Sequence, residues 1–528
     1  MLILQNISYI HPSKDLLFGD VNLAVGNHQK TALIGNNGVG KSTLLKIIAG
    51  QLQPSSGHVS VEHDPYHVPQ VFGQFNHLTI AQALKIEGKI NALKEILNGN
   101  PSQENFNLLN EDWTIEDRCK EVFHDWQLDE LDLSQKMETL SGGQRTKVFL
   151  AAIAIHEPEL VLLDEPSNHL DLSGRQLLYD FIQSTKSTLM VVSHDRKLLN
   201  LLNPVFELSR KGIKVYGGNY SFYQEQKQIE SKALNQEIQS KEKALRKAKE
   251  IERETIERQQ KLDSRGKGKQ EKAGVSRIMM NTLRNKAEQS TSKLKSVHTE
   301  KISGISQDLQ DLRYSLPDLD KMKFGLDNSG LHQGKVLFRA TSLNFAYHRQ
   351  PIWETQLNFE IRSGERIALK GKNGSGKTSL IKLILGDLEP QTGTIYRADQ
   401  NAVYIDQDYS LLDQKLNVYQ QAQQFNGSAL QEHEVKIRLS RFLFSKEDWD
   451  KACSALSGGE RMRLLLCCLT IHSTSPDTII FDEPTNNLDL ENVEILTAAI
   501  NEYQGTILVV SHDEVFLKQI NINRTIEL

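Results

Sequence analysis

Cysteine is scarce in this chain of 528 residues: Cys119, Cys453, Cys467 and Cys468 are the whole complement. Four thiols cannot staple a chain of this length, and no CxxC pair offers a zinc site, so a disulfide scaffold and a zinc fold are excluded. They read as reduced, mostly buried thiols of a cytosolic protein. Long apolar runs are missing too. No stretch approaches the roughly 18–20 consecutive apolar residues of a membrane helix. The opening MLILQNISYIHPSK lacks the basic start and apolar core of a signal peptide. Neither a membrane nor a secreted protein is expected. Charge of one sign does not dominate: 62 Lys plus Arg face 67 Asp plus Glu, a net of −5, which argues against a uniformly basic nucleic-acid binder. At roughly 100–200 residues per domain, the chain has room for about three.

One absence is local. From Gln224 to Arg313 there is no Phe, Tyr or Trp, so this stretch cannot form an aromatic-rich core. Its sparse apolar residues recur at steps of three and four (Leu283, Ala287, Leu294, Val297, Ile302, Ile305, Leu309, Leu312), which suits a narrow coiled-coil seam. The segment SRGKGKQEKAGVS, residues 264–276, interrupts the pattern with three glycines. Two long helices folded back at a hinge near 265–277 are expected, with a single long helix as the alternative. Lys241 to Lys301 holds 18 Lys plus Arg against 9 Asp plus Glu, and leaves −14 on the rest of the chain. A basic tip on an acidic body suggests a polyanionic partner, although a solvated spacer has the same composition.

Around this segment the chain is duplicated. TALIGNNGVGKSTLLKIIAG (31–50) recurs as IALKGKNGSGKTSLIKLILG (367–386), LSGGQR (140–145) as LSGGER (456–461), and LVLLDEPSNHLDL (160–172) as TIIFDEPTNNLDL (478–490). VVSHD occurs at 191–195 and 509–513. Asp164 to His194 and Asp482 to His512 both span 30 positions. Four motifs in register are a repeat, not chance. One interval differs: Gln70 to Ser141 is 71 positions and Gln407 to Ser457 is 50. The first copy therefore carries a small helical insertion near 85–125, either a surface arm or a longer helical subdomain.

Each motif has a chemical reason. Gly35-Asn36-Asn37-Gly38-Val39-Gly40-Lys41-Ser42-Thr43 and Gly371-Lys372-Asn373-Gly374-Ser375-Gly376-Lys377-Thr378-Ser379 each follow a short apolar strand and enter a helix. Such a loop turns backbone N–H groups toward phosphate oxygens at a helix N-terminus. Lys41 and Lys377 would reach the β/γ-phosphates of ATP, and Ser42 and Thr378 would ligand Mg²⁺. Asp164 and Asp482 end buried strands and are expected on the magnesium. Glu165 and Glu483, one residue on, would polarise the attacking water. His194 and His512 follow VVS strands, within reach of a γ-phosphate. Ser141-Gly142-Gly143-Gln144 and Ser457-Gly458-Gly459-Glu460 make a second anion-binding helix start in each copy. That redundancy makes sense if each serves the nucleotide held by the other copy, two cassettes head to tail sandwiching two ATP molecules.

This set of motifs resembles the ATP-binding-cassette (ABC) superfamily across most of both halves. Two cassettes in one chain around a charged helical linker, with YGGNYSFYQEQK (216–227) at the junction, are similar to its ABC-F subfamily. The resemblance implies an α/β fold of two P-loop ABC ATPase cassettes, each with a mixed sheet core plus a helical subdomain, joined by a long α-helical hairpin linker. The domains would be 1–222, 223–332 (basic tip near 264–280) and 333–528. It makes Gln70 and Gln407 the glutamines that sense Mg²⁺ and γ-phosphate, and sets Tyr9 and Tyr347 where the family stacks an aromatic on adenine. Glu460 replaces the usual signature glutamine, and Asn487 stands where the first copy has His169. It further implies a cytoplasmic ATPase, monomeric off the ribosome, with no membrane partner. The ATP-closed form would bind the ribosome, touching rRNA and P-site tRNA with Arg265, Lys267, Lys269, Lys272 and Arg277. Hydrolysis would release it. Arms of about 35–40 residues would reach roughly 50–60 Å. Such a protein is a translation factor or protects ribosomes against antibiotics. A tandem importer ATPase and a DNA-associated ABC ATPase share the chemistry and remain as alternatives.

Overall fold

The apolar runs that end in paired carboxylates form the buried centre of two parallel sheets, as uninterrupted hydrophobic strands covered on both faces do. This computed structural model describes all residues except 13, 273–276, 315–321, 323–330, 348–349, 373, 473–474 and 487, and of 263–264, 266–272, 277–291, 294 and 314 the backbone only. In the first cassette the sheet runs Tyr66–Val68, Leu160–Asp164, Thr188–Val192, Lys30–Ile34, Val205–Ser209, Gly212–Tyr216. The last pair is antiparallel. In the second cassette it runs Ala402–Ile405, Thr478–Asp482, Thr506–Val510, Arg366–Lys370, Arg524–Glu527, all parallel. Every residue of Leu160–Asp164 and Thr188–Val192 is buried. Each Leu, Ile or Val so placed is worth about 1.5–3 kcal/mol of transfer free energy.

Beside each parallel sheet lies an antiparallel one, Leu2–Ile10 between Leu16–Val25 and Ser56–Val61 in the first copy. Val336–Asn344 between Leu357–Arg362 and Thr392–Arg397 is its counterpart. The central strand of each is bulged at a residue with left-handed backbone, Asn6 (φ 50°) and Ser342 (φ 50°). Beneath these sheets the helices Lys41–Ile48 and Lys377–Leu385 bury Leu44, Leu45, Leu380 and Ile381.

The two helical subdomains account for the unequal spacing. Both contain a helix before the signature, Ile115–Asp125 and Glu432–Arg441. The first alone inserts Glu87–Leu97 and Gln103–Leu109, which pack on the subdomain core through Ile90, Ala92, Leu93 and Leu109. Asp112, after the second of these helices, pins the insertion by accepting from Lys89 Nζ and Arg118 Nη2, each at 2.8 Å.

The chain divides into two compact units, Met1–Tyr223 with Met322–Leu528, and Gln224–Lys321. Both cassettes thus share one unit. In the other, helices Tyr220–Lys272 (53 residues) and Arg277–Tyr314 (38 residues) are antiparallel, tied by Lys241 to Asp308 and Arg313 to Glu242, each at 2.6 Å. The two helices end and begin within the hinge expected near 265–277: the first continues through Gly266 and Gly268 to Lys272 and the second starts at Arg277, while residues 273–276 lie outside the described residues. A glycine inside a helix costs only about 1 kcal/mol, which a helix of this length absorbs. At 1.5 Å per residue the helices measure about 80 and 57 Å, and the first exceeds the expected reach.

Candidate active site

Each P-loop closes on its own lysine. Lys41 is buried and donates to the carbonyls of Gly35 (2.7 Å) and Asn36 (3.3 Å), and Lys377 donates to those of Gly371 (2.9 Å) and Lys372 (3.0 Å). The ammonium threads its loop and ties its opening carbonyls together. Gly40 and Gly376 precede the helices with φ of 103° and 89°. A Cβ at Gly40 would sit 2.7 Å from the Phe18 ring, and one at Gly376 2.5 Å from Ile352 Cγ2, so only glycine lets the loop lie on the sheet. Gly38 and Gly374 share the left-handed conformation. Val39 and Ser375 complete the loops, and Asn373 falls outside the described residues. Thr43 lines the first site's cavity, and Ser379 Oγ lies 3.4 Å from the Tyr347 hydroxyl.

The carboxylates converge on these loops. Ser42 hydrogen-bonds Asp164, and Thr378 hydrogen-bonds Asp482. Glu165 and Glu483 have left-handed backbone, φ 51° and 48°, a conformation that costs a side chain of this size roughly 1–3 kcal/mol and clusters at functional sites. Their N–H groups donate to Val192 O and Val510 O, each at 2.9 Å. The turn swings each carboxylate beneath its histidine: Glu165 Oε1 to His194 Nε2 and Glu483 Oε1 to His512 Nε2 are both 3.3 Å. Burial pushes both glutamates up and both histidines down, toward the neutral forms.

The cassettes meet at these sites. Asp489 of the second cassette accepts from the Asn37 backbone N–H at 2.7 Å, and Glu491 from Asn36 Nδ2 at 3.0 Å. Burial lowers the Lys41 and Lys377 pKa values, opposed at Lys41 by Glu165 and then Asp489, and at Lys377 by Glu483, Asp482 and Asp171. Each P-loop lysine thus feels the aspartate after the other cassette's DEP segment. Over the first P-loop opens a cavity of about 490 Å³ whose walls include Lys41, Gln70 and Asp164 from one cassette and Thr485, Asn486 and Leu488 from the other. Gln407 is exposed, in the turn two residues past the strand Ala402–Ile405.

Both signature segments are capping boxes. Ser141 and Ser457 begin the helices Gly142–His156 and Gly458–Ile471 by accepting from the N–H groups of Gln144 and Glu460, whose side chains return to the serine N–H groups at 2.9 and 2.7 Å. A Cβ at Gly143 would lie 2.8 Å from His169 O, so the glycine lets the helix start seat on its own DEP-following loop.

The structure changes one expected pairing. With Asn6 opposite Ser342 at the bulges, Tyr9 matches Phe345 and His11 matches Tyr347. Tyr9 packs on Phe18 in the core, whereas His11 lines the cavity over the first P-loop. Tyr347 is 52% exposed. Among the linker positions, Arg265 is exposed; the side chains of Lys267, Lys269, Lys272 and Arg277 lie outside the described residues.

Motif reasoning also passed over two arginines. Arg175 pairs with Asp195 at 3.6 Å and donates to Leu170 O at 3.2 Å. Arg196, 4% exposed, donates across to Gln519 Oε1 at 2.6 Å and lies 3.9 Å from Glu494. Aligning the copies would have revealed them, since Val493 and Glu514 occupy the matching places.

Two phosphate loops, each with a carboxylate pair and a histidine, define an ATP hydrolase built of paired cassettes. The family described as "ABC transporter" matches residues 18–168 and 355–486. Among curated proteins, the putative ATP-binding protein YdiF of Bacillus subtilis (strain 168) is 32% identical over 97% of this chain and 78% of its own length. "ABC transporter F family member 5" of Arabidopsis thaliana is 29% identical over 96% of this chain and 72% of its own. ATP-binding protein Uup of Escherichia coli (strain K12) is 29% identical over 95% and 76%. The crystallised complex of archaeal ribosomal stalk protein aP1 and ribosome recycling factor aABCE1 shares the fold at 20% identity and a TM-score of 0.58, over 99% of this chain and 87% of that one. The chain belongs to the ABC family of ATP-binding-cassette ATPases, and within it to the F subfamily. No helix among the described residues is long and apolar enough to cross a membrane.

Proposed function

We propose that this ATPase binds the ribosome when ATP closes its cassettes, acts through the linker on P-site tRNA and nearby rRNA, and leaves after hydrolysis. The observation that carries the reading is the helical hairpin between the cassettes, free of aromatics over 224–313 and with a local excess of basic residues. A basic, aromatic-poor tip suits phosphates and RNA shape better than unstacked bases. A cytoplasmic location follows from such a partner. Whether the cell uses the protein in ordinary translation or in antibiotic protection is a further choice within the same reading.

At each site the P-loop N–H groups and lysine would bind the phosphates. Ser42, Asp164 and Gln70, and in the other cassette Thr378, Asp482 and Gln407, would hold Mg²⁺. The fit is supported by Asp164 Oδ1, a buried carboxylate oxygen with no hydrogen-bond partner, beside a hydroxyl. Hard oxygen donors with room for water suit Mg²⁺, which supplies charge neutralisation between the β- and γ-phosphates. Glu165 and Glu483 would orient the attacking water and accept its proton, while His194 and His512 fix the glutamates and face the γ-phosphate. Each signature helix would close the nucleotide of the opposite cassette, so that ATP joins the two halves.

The test is co-sedimentation of the Glu165→Gln/Glu483→Gln variant with ribosomes. It should travel with them in ATP and not in ADP, and charge reversal at Lys267, Lys269 and Lys272 should abolish this. A variant that stays at the top of the gradient in both nucleotides would refute the ribosomal reading and turn attention to DNA or a permease.

A further inference from the structure

When the two cassettes are superposed position by position, one pair of residues changes together. The signature residue is Gln144 in the first cassette and Glu460 in the second. Nine positions earlier stand Gln135 and Lys451. These two occupy one place in the fold, since the carbonyl of Gln135 accepts from Ile80 N (2.9 Å) and that of Lys451 from Val418 N (3.1 Å), the first residues of matching helices. A neutral pair in one copy has become a charged pair in the other.

In the second cassette both carboxylate oxygens of Glu460 are turned inward. Oε2 accepts from Ser457 N at 2.7 Å and Oε1 from Lys451 Nζ at 2.7 Å. Burial alone would push this carboxyl up; the bonds from Lys451 and Ser457 outweigh it and hold it below its ordinary value, as a carboxylate. The signature start lies beside the segment that already touches the first P-loop. A Cβ at Gly459 would fall 2.2 Å from Asn492 Nδ2, and Asn492 donates to Asp489, the acceptor for Asn37.

An acidic residue in the first helical turn favours the helix dipole, yet an uncompensated carboxylate there repels an incoming polyphosphate. We propose that Lys451 is a positioning residue for the first ATP site. By neutralising Glu460 and holding its carboxylate against the second cassette, it lets an acidic signature helix meet the γ-phosphate held by the first P-loop. This rests on the reciprocal closure proposed above.

The test uses full-length protein in two backgrounds. With Glu483→Gln, turnover reports the first site; with Glu165→Gln, the second. Lys451→Ala should raise KM for ATP at the first site about tenfold with kcat within about twofold, and leave the second unchanged. The double variant Lys451→Gln/Glu460→Gln, which installs the first cassette's neutral pair, should restore KM, whereas a merely structural lysine would not be rescued. Titrating a fluorescent ATP analogue into the Glu165→Gln/Glu483→Gln protein with and without Lys451→Ala gives the same comparison without turnover. An unchanged first-site KM and affinity, or failure of the rescue, overturns the role of Lys451. A shift confined to the second site would instead overturn reciprocal closure while leaving the Lys451–Glu460 coupling in place.

Discussion

Lys41 and Lys377 donate to the same two carbonyls of their loops, and Glu165 and Glu483 share a left-handed backbone and a histidine at 3.3 Å. Away from the phosphates the halves part company. Arg175 and Arg196 of the first cassette correspond to Val493 and Glu514. Tyr404, whose hydroxyl donates to Asp482 Oδ2 at 2.9 Å, corresponds to His67. Geometry around a transferring phosphoryl group tolerates little displacement, so duplication is kept there. The seam between cassettes needs only net complementarity, and one side can supply both guanidinium groups. The consequence is unequal surroundings for two nearly identical glutamates. Burial pushes the Glu483 carboxyl up but Arg175 opposes it, whereas at Glu165 the chief opposing charge is Lys41 of its own loop.

The comparison is broken most completely at the glutamates. Glu165→Gln/Glu483→Gln should lower steady-state ATP hydrolysis by roughly 10²–10⁴-fold, the usual scale for losing a general base. The single variants sharpen it. If the sites were equivalent, each would retain half of the wild-type rate; with Arg175 beside Glu483, Glu165→Gln should retain the larger share. Equal residual rates would remove the asymmetry.

Next in size is Arg175→Val, which gives the first cassette the second's residue. In the Glu165→Gln background, turnover at the second site should fall about tenfold; in Glu483→Gln it should barely change. Asp195 would keep its Tyr179 and helix-capping bonds but lose its guanidinium, and a buried carboxylate so stripped costs up to about 3–5 kcal/mol. A lower melting temperature should therefore accompany the kinetic change. Loss of stability with both sites slowed alike would make Arg175 a structural residue only.

These differences mark what could be read in the chain before its fold was known. The P-loops, the carboxylate pairs and the histidines were legible because each is a local motif whose spacing is set by one strand and one turn. The insertion near 85–125 was legible from an interval, and it proved to be two helices packed on the subdomain. The mismatch of Tyr9 with Tyr347 was also legible and was passed over: His11, not Tyr9, stands 24 positions before its P-loop glycine as Tyr347 does, and it is His11 that lines the cavity. The linker hinge was legible near 265–277, but its bounds were too wide at the start, because Gly266 and Gly268 lie within helix. Arg175, Arg196 and Lys451 belong to no motif. Arg175 pairs with Asp195 twenty positions on, Arg196 with Gln519 of the other cassette and Lys451 with Glu460 nine positions on, and only folding brings them together.

A smaller effect is expected at Tyr404→Phe. Removing one hydrogen bond to a partly buried carboxylate costs about 1.5–3 kcal/mol where the acceptor is charged. In the Glu165→Gln background the variant should require several-fold more Mg²⁺ for half-maximal turnover, because Asp482 loses the group that orients it. The first site, with His67 in this place, should not respond when assayed in the Glu483→Gln background. An unchanged Mg²⁺ dependence would leave Tyr404 as packing.

The smallest effect concerns the insertion that only the first cassette possesses. Lys89 and Arg118 hold the Asp112 carboxyl below its ordinary value against the opposing effect of burial. A carboxylate with a depressed folded-state pKa contributes stability above its unfolded value, and loses it as pH falls through the folded one. Asp112→Asn should therefore lower stability near neutral pH by no more than about 1 kcal/mol per ion pair, since solvent reaches both cations. The gap between variant and wild type should close as pH drops from roughly 5 toward 3. Hydrogen exchange should report the change in Glu87–Leu97 and Gln103–Leu109, and not in Glu432–Arg441 of the second cassette. A loss spread over both subdomains would show that the insertion is no separate local unit, and the cassettes would then differ in their charges alone.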